Sequence, residues 1–159
     1  GGFGTSLRFY GVDFSIGFTY QLGGQVLDQG YRFYMNSPAG TSTGNNYHHD
    51  LLNSWTPENS GSNIPRFAYN DSNQAAVSDR FLTSASYLNI QNITLGYTLP
   101  KRITRKFLVE NLRIYLACDN VWYWSKRQGL DPRQSINGIT NPYYYAPIRT
   151  FSGGVTVTF

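Results

Sequence analysis

Apolar and polar residues alternate strictly along two stretches at the start of the chain. Residues 3–9 carry apolar or β-branched side chains at every odd position, and residues 12–22 carry apolar ones at every even position. A period of two is typical of β-strands whose two faces meet different surroundings. Tyr10 and Gly11 separate the stretches, and glycine tolerates the positive φ of a tight turn. The pattern therefore predicts a hairpin over residues 3–22.

A third alternating stretch occupies residues 92–99 and stops at Pro100, which cannot donate a hydrogen bond to a β-ladder. Leu88 and Ile90 belong to the same hydrophobic run but lie in the opposite phase. A bulge inserts one extra residue and reverses the phase. We therefore expect a bulged strand with the irregularity near Gln91.

Two further strands are predicted over residues 112–124 and 151–159. The connections between the predicted strands are very unequal: in chain order, residues 10–11 form a short turn, residues 23–86 are long, residues 100–111 are of modest length, and residues 125–147 are long. Short and long connections alternate along the chain. Outer-membrane barrels show this asymmetry, with short periplasmic turns and long extracellular loops.

The charged residues of the predicted strands all fall on the polar face, while the apolar face contains none. An arginine or lysine facing lipid at mid-membrane costs about 2–4 kcal/mol. The sequence thus predicts an all-β fold, an antiparallel transmembrane β-barrel segment of about five strands from a larger barrel. A soluble β-sandwich with one face on its core would produce the same alternation. The alternative is therefore a soluble, secreted β-sandwich that binds carbohydrate through its aromatic loops. The charged strand residues are Arg8, Asp13, Arg113 and Asp119.

Composition narrows the class of protein further. Aromatic residues make up 16% of the chain and charged residues only 14%, against about 25% charged in soluble domains. A net charge of +4 is scattered along the sequence, so we expect no nucleic-acid partner. The single Cys118 excludes a disulfide-stapled scaffold.

Five strands would leave two unpaired edges in lipid, so a larger part of the protein, with its export signal, is expected upstream.

Several motifs, in order and at characteristic spacing, resemble the C-terminal region of SusC/RagA-type TonB-dependent outer-membrane transporters. The first are Trp-Thr-Pro-Glu-Asn at 55–59, Ile-Pro-Arg at 64–66, Asp-Arg-Phe-Leu at 79–82, Ser-Tyr-Leu at 86–88 and Asn-Ile-Thr-Leu-Gly-Tyr-Thr-Leu-Pro-Lys at 92–101. They continue with Asn-Leu-Arg-Ile-Tyr at 111–115, Asp-Asn at 119–120, Gly-Leu-Asp-Pro at 129–132, Pro-Ile-Arg-Thr-Phe at 147–151 and Val-Thr-Val-Thr-Phe at 155–159. Together these motifs cover nearly the whole chain.

The resemblance implies a function and a set of partners. It implies energised import of glycan fragments or peptides through the outer membrane, with residues 1–159 forming the C-terminal part of the receptor barrel. The implied partners are the rest of the barrel and its plug, a SusD-like surface lipoprotein, the TonB complex through an N-terminal part, the substrate and outer-membrane lipid. No cofactor is implied. Phe159 resembles the terminal aromatic signal for barrel assembly.

Aromatic residues supply the candidate sites. Trp122, Tyr123 and Trp124 are predicted to form an interfacial girdle, although they could also stack on sugars. Aromatic residues of the two long loops are predicted to contact substrate or the lipoprotein lid, with packing among the loops as the alternative. These loop residues are Tyr31, Tyr34, Trp55, Tyr143, Tyr144 and Tyr145.

The chain shows no arrangement typical of catalysis. Its loop acids are isolated from bases and nucleophiles, so we predict that it is not an enzyme. His48, His49 and Asp50 offer metal-ligating groups, but neighbours on an extended chain point to opposite sides. They are therefore predicted to be solvated loop residues, and no metal site is predicted.

Overall fold

The computed structural model describes residues 1–37, 44–71, 73–127, 129–134, 137–141 and 143–159; the remaining parts of the two predicted long loops lie outside these ranges. The strands are β1 (Gly2–Phe9), β2 (Val12–Gln21), β3 (Gln25–Leu27), β4 (Leu82–Ser84), β5 (Tyr87–Thr98), β6 (Asn111–Ser125) and β7 (Thr150–Thr158). The α-helices are α1 (Gln29–Tyr34) and α2 (Lys101–Thr104). Short 3-10 helices occupy His49–Asn53, Pro57–Asn59, Asp79–Phe81, Arg105–Phe107 and Pro132–Gln134.

The chain divides into two compact units. The sheet unit comprises residues 1–24, 85–131 and 145–159, and the loop unit comprises residues 25–84 and 132–144. All five predicted strands lie in the sheet unit, where they form one antiparallel sheet in the order β1-β2-β5-β6-β7. The all-β prediction and the strand positions are therefore confirmed to within one or two residues at each end.

The register of the sheet separates apolar from polar residues. One row across all five strands consists of Phe9, Val12, Tyr97, Ile114 and Val155. The adjacent row, on the opposite face, consists of Arg8, Asp13, Gly96, Tyr115 and Gly154. Because successive side chains of a strand point to opposite faces, this register keeps apolar residues on one face and polar residues on the other along the strands. Within the described sheet unit no second sheet covers the apolar face, as the sandwich alternative would require.

Both predicted irregularities of the sheet are present. Tyr10 and Gly11 connect β1 to β2 with φ of 45° and 86°, as the favoured two-residue hairpin turn requires. Gln91 is skipped where β5 pairs with β2, because Gly17 pairs with Asn92 and Phe18 with Ile90. This bulge returns Leu88 and Ile90 to the apolar face.

An ion pair spans the polar face across the central strand. Arg113 on β6 donates from Nε to Asp13 Oδ1 on β2 at 3.0 Å and from Nη2 to Oδ2 at 2.5 Å. Strand β5 lies between them, and Gly96 leaves the space that the pair occupies. A Cβ at Gly96 would lie 2.5 Å from Arg113 Nη2 and 2.6 Å from the Asp13 carboxylate.

The loop unit has a small core of its own. Strands β3 and β4 pair antiparallel, and four side chains from distant positions pack together: Leu27, Met35, Leu51 and Phe81. Tyr31, Tyr47 and Ile64 pack against them. The sequence pattern had predicted no regular element between residues 23 and 86. Three-residue strands and a six-residue helix are too short to show a hydrophobic period.

Among the described residues, no helix is both long enough and apolar enough to cross a membrane.

Candidate functional site

Helix α1 supplies one wall of a cleft in the loop unit. Asp28 caps the helix, since its Oδ1 accepts a hydrogen bond from the backbone N–H of Tyr31 at 2.9 Å. Residues three and four apart lie on the same side of a helix. Helix α1 accordingly places Gln29, Arg32 and Phe33 along the cleft, and Asn36 follows just after its C-cap Met35.

The opposite wall comes from the described residues 134, 137–141, 143 and 144, and Thr140 joins this wall to β3 by hydrogen bonds. The carbonyl of Leu27 accepts from both the backbone N–H of Thr140, at 3.0 Å, and its hydroxyl, at 3.1 Å. Thr140 Oγ1 also accepts from the N–H of Gln29 at 3.1 Å. Asn141 Oδ1 accepts from the N–H of Tyr143 at 2.9 Å, which fixes the turn that presents Tyr143 and Tyr144.

The cleft between these walls has a volume of about 800 Å³, within the usual size range of ligand sites. Amide side chains and aromatic rings dominate its lining, and among the described lining residues none is acidic. The lining consists of Gln29, Arg32, Phe33, Asn36, Ala75, Gln134, Asn137, Ile139, Thr140, Asn141, Tyr143 and Tyr144. Such a surface offers ring faces together with neutral hydrogen-bonding groups.

Arg32 is the one cation among these lining residues, and its position is fixed by two contacts. Its Nε donates to the carbonyl oxygen of Ala75 at 2.7 Å, and its Nη1 donates to Gln29 Oε1 at 3.0 Å. The guanidinium group is thereby held against the wall of the cleft.

The cleft brings together only some of the predicted contact residues. Tyr143 and Tyr144 line it, with 78% and 65% of their surfaces exposed. Tyr31 instead packs against the core of the loop unit. Tyr34, Trp55 and Tyr145 are exposed but are not among the lining residues.

Sequence reasoning missed the polar part of the cleft, namely Gln29, Arg32 and Asn36. For Gln29 and Arg32 the available signal was their helical spacing, which places them with Phe33 on one side of α1, whereas Asn36 lies beyond the helix. The amides of residues 134–141 carried no such signal, because only the folded chain brings them opposite the helix.

The predicted girdle residues lie at the end of β6. Trp122 and Trp124 pair with Ile90 and Leu88 on the apolar face, and each is about half exposed. Tyr123 pairs with Asn89 on the polar face. The Arg149 guanidinium lies 5.6 Å from the centre of the Trp122 ring, a cation–π contact. The aromatic Phe159 directly follows β7 and is exposed.

The segment from His48 to Asp50 is not extended, so the extended backbone assumed for it in the sequence analysis was wrong. The 3-10 helix His49–Asn53 folds the chain back, with His48 as its N-cap. Consequently His48, His49 and Asp50 present ligand atoms that all lie within 4.8 Å of one another. The sequence predicted no metal site here because neighbouring side chains on an extended chain point to opposite sides. That argument does not apply to this turn.

Comparison with known proteins extends over the whole chain. No protein-family model matches it. The TonB-dependent receptor P3 of Formosa agariphila is 26% identical over 168 aligned positions, which cover 99% of this chain and 16% of the receptor. The TonB-dependent receptor SusC of Bacteroides thetaiotaomicron is 36% identical over 84 positions, 52% of this chain and 8% of SusC. The chain thus spans less than a fifth of the length of the curated relatives it matches.

Solved structures give the same result for the fold. The RagAB peptide importer in its closed-closed state matches 100% of this chain and 17% of the importer chain, with a TM-score of 0.83 and 23% identity. Its open-open state matches with a TM-score of 0.82 and 24% identity. The prediction of a barrel segment is confirmed. The chain is therefore similar, in sequence and in fold, to a segment of the outer-membrane TonB-dependent receptors of the SusC and RagA kind, which confirms the resemblance and the location predicted from its sequence.

Proposed function

We propose that this chain forms the last strands of the outer-membrane barrel of a TonB-dependent nutrient importer. The observation that carries the proposal is the two-faced sheet, with an apolar face free of charge and a polar face that holds Arg8, Asp13, Arg113 and Asp119. Lipid suits the first face, and a water-filled or plugged lumen suits the second. A soluble domain would have to cover the apolar face with a second layer.

The proposed orientation rests on the resemblance of residues 147–159 to the last strand of such barrels, which ends in the periplasm. Strand β7 then descends towards the periplasm, β6 ascends, β5 descends and β2 ascends. The turn at Tyr10 and Gly11 and the connection at residues 100–110 would be periplasmic. Residues 23–86 and 125–147 would face the exterior.

We assign substrate contact to the exterior cleft of the loop unit. Rings at Phe33, Tyr143 and Tyr144 can stack on the apolar faces of sugars or on side chains. The surrounding amides can exchange hydrogen bonds with hydroxyl or peptide groups. Glycan fragments and peptides both meet this description, and a solved relative is described as a peptide importer.

The whole transporter would complete the machinery around this segment. A plug would fill the lumen, a TonB-contacting segment would supply the energy for import, and a SusD-like lipoprotein would close over the exterior loops. Import would proceed by binding and gated passage without covalent chemistry, so the chain would not act as an enzyme.

Growth of the native bacterium on defined nutrients tests this proposal. A strain lacking the transporter is grown on a panel of purified polysaccharides and on a peptide mixture as carbon sources. It is complemented with the wild type or with the double variant Tyr143→Ala/Tyr144→Ala, and Tyr145→Ala serves as the matched control outside the cleft. The wild type should restore growth on at least one nutrient, and the double variant should slow its uptake about tenfold, as expected for central aromatic contacts.

Two results would contradict the proposal. Growth that is unchanged by loss of either the transporter or TonB on every nutrient would favour an adhesive or structural barrel. Equal effects of the double variant and of Tyr145→Ala would place the substrate contact outside the cleft.

A further inference from the structure

A turn of the loop unit gathers three metal-ligating side chains away from the cleft. His48 Nδ1 lies 3.4 Å from Asp50 Oδ2, and His49 Nδ1 lies 3.2 Å from Asp50 Oδ1. We propose that His48, His49 and Asp50 bind a divalent transition-metal ion of the Zn²⁺ class. This site is independent of the proposed transport function.

The spacing of the three groups fits a single ion. Two ligands of a tetrahedral ion with bonds of about 2.0–2.1 Å are separated by about 3.4 Å. The two imidazole-to-carboxylate distances, one to each oxygen of Asp50, are close to this value. All the ligand atoms lie within 4.8 Å of one another, so side-chain rotations can bring the three groups to one ion. His48 Nδ1 also accepts a hydrogen bond from the backbone N–H of Asp50, at 3.2 Å. A metal ion bound to Nδ1 would replace this hydrogen bond. The distance is at the long end for such a bond, so its loss costs little.

Two of the ligands are held in place by the folded loop unit. The Tyr31 hydroxyl donates to Asp50 Oδ2 at 2.9 Å, which is the usual way in which an outer partner orients a ligating carboxylate. The Tyr31 ring packs edge-on against His48 at 4.8 Å. Leu51, the next residue along, is buried in the core. The turn is therefore anchored before any ion arrives.

The third ligand, His49, is exposed, and the site is open on that side. The side chain of His49 is 79% exposed, so its ring can move towards the ion without disturbing the core. The open side leaves a coordination position for water or for a group from another molecule. Sites with three protein ligands and one open position are common for zinc.

The ligand set selects the class of ion. Calcium and magnesium prefer oxygen ligands, whereas two imidazoles and one carboxylate suit zinc, copper and nickel. Within the described residues, Asp50 has no ion pair with a lysine or arginine, and its carboxylate lies beside the two imidazoles. A divalent cation would balance this carboxylate.

A cobalt titration of the full-length transporter in detergent tests the site. The protein is stripped with a chelator, and Co²⁺ binding is followed by equilibrium dialysis and by visible absorption. Wild type should bind one Co²⁺ more than either His49→Gln or Asp50→Asn, and Zn²⁺ should displace that ion. Glu58→Gln, which removes an exposed carboxylate elsewhere in the loop unit, is the matched control and should bind as the wild type does.

Further variants separate ligation from folding. Tyr31→Phe keeps the ring packing but removes the hydroxyl, and it should weaken Co²⁺ binding about tenfold. Equal Co²⁺ stoichiometry in wild type, His49→Gln and Asp50→Asn would overturn the proposal. So would a loss confined to His48→Asn, which keeps a side chain able to cap the 3-10 helix, since the proposed site needs all three ligands.

Discussion

The turn between β1 and β2 requires glycine at its second position for two separate reasons. Gly11 has φ of +86°, a conformation that L side chains rarely adopt. A Cβ there would also lie 2.6 Å from the carbonyl oxygen of Thr98, while the Gly11 carbonyl accepts from the Thr98 N–H at 2.7 Å. Gly11→Ala should therefore destabilise the barrel by about 1–3 kcal/mol. The temperature at which heat unfolds the full-length barrel in detergent, seen as a gel-mobility shift, measures this loss.

Gly23 provides the matched control for that substitution. Its φ of +79° is similar, but a Cβ there would meet nothing within 4 Å. Gly23→Ala should therefore cost less, because only the backbone conformation is penalised. If both variants unfold at the same temperature, the close approach of Thr98 to the turn does not contribute to stability.

For individual residues, the sequence predicted which face of the sheet a side chain occupies but not which other side chain it contacts. Alternation placed Asp13 and Arg113 on the polar face. Their ion pair depends on the register of three strands and on the missing side chain of Gly96, which no local pattern encodes. For the same reason the sequence placed Tyr143 among possible contact residues without indicating Arg32 across the cleft.

At the scale of elements, β6 offers a direct test of the two faces. Leu116 lies on the apolar face between Leu95 and Gly153, and it is 65% exposed in this segment. Leu116→Arg would place a charge in lipid, at a cost of about 2–4 kcal/mol near the bilayer centre and less towards its edges. The amount of folded transporter recovered from outer membranes should fall. The transporter that is still recovered should unfold at a lower temperature than the wild type.

The neighbouring position supplies the control. Ala117 pairs with Thr94 and Ser152 on the polar face. Ala117→Arg introduces the same charge one residue away, where water or the plug can solvate it. It should be tolerated much better than Leu116→Arg, and equal losses from the two variants would contradict the assignment of the faces.

Elements differed in how well the sequence predicted them, and length explains the difference. Strands of 8 to 15 residues show enough alternation to be recognised, even across the bulge at Gln91. Strands β3 and β4 have three residues each and gain their stability from contacts distant in sequence. The 3-10 turn at His49–Asn53 was missed for the same reason, and with it the approach of His48 to Asp50.

For the whole molecule, the exposed edges and face of the sheet decide how this segment behaves alone. Strands β1 and β7 lie at the two edges of the five-stranded sheet and have one neighbour each in this segment. Large apolar residues such as Phe3, Leu116 and Phe151 remain exposed on the face proposed to meet lipid. Unpaired edges and large apolar patches both promote association. Residues 1–159 expressed alone should therefore aggregate in detergent-free buffer.

Sedimentation combined with circular dichroism distinguishes the possible outcomes of that experiment. Aggregation that is relieved only when the upstream chain and detergent are supplied would agree with a segment that completes a barrel. A soluble, folded monomer without detergent would show that some layer covers the apolar face. That result would contradict the proposed barrel role, because a face already covered by protein has no need of lipid.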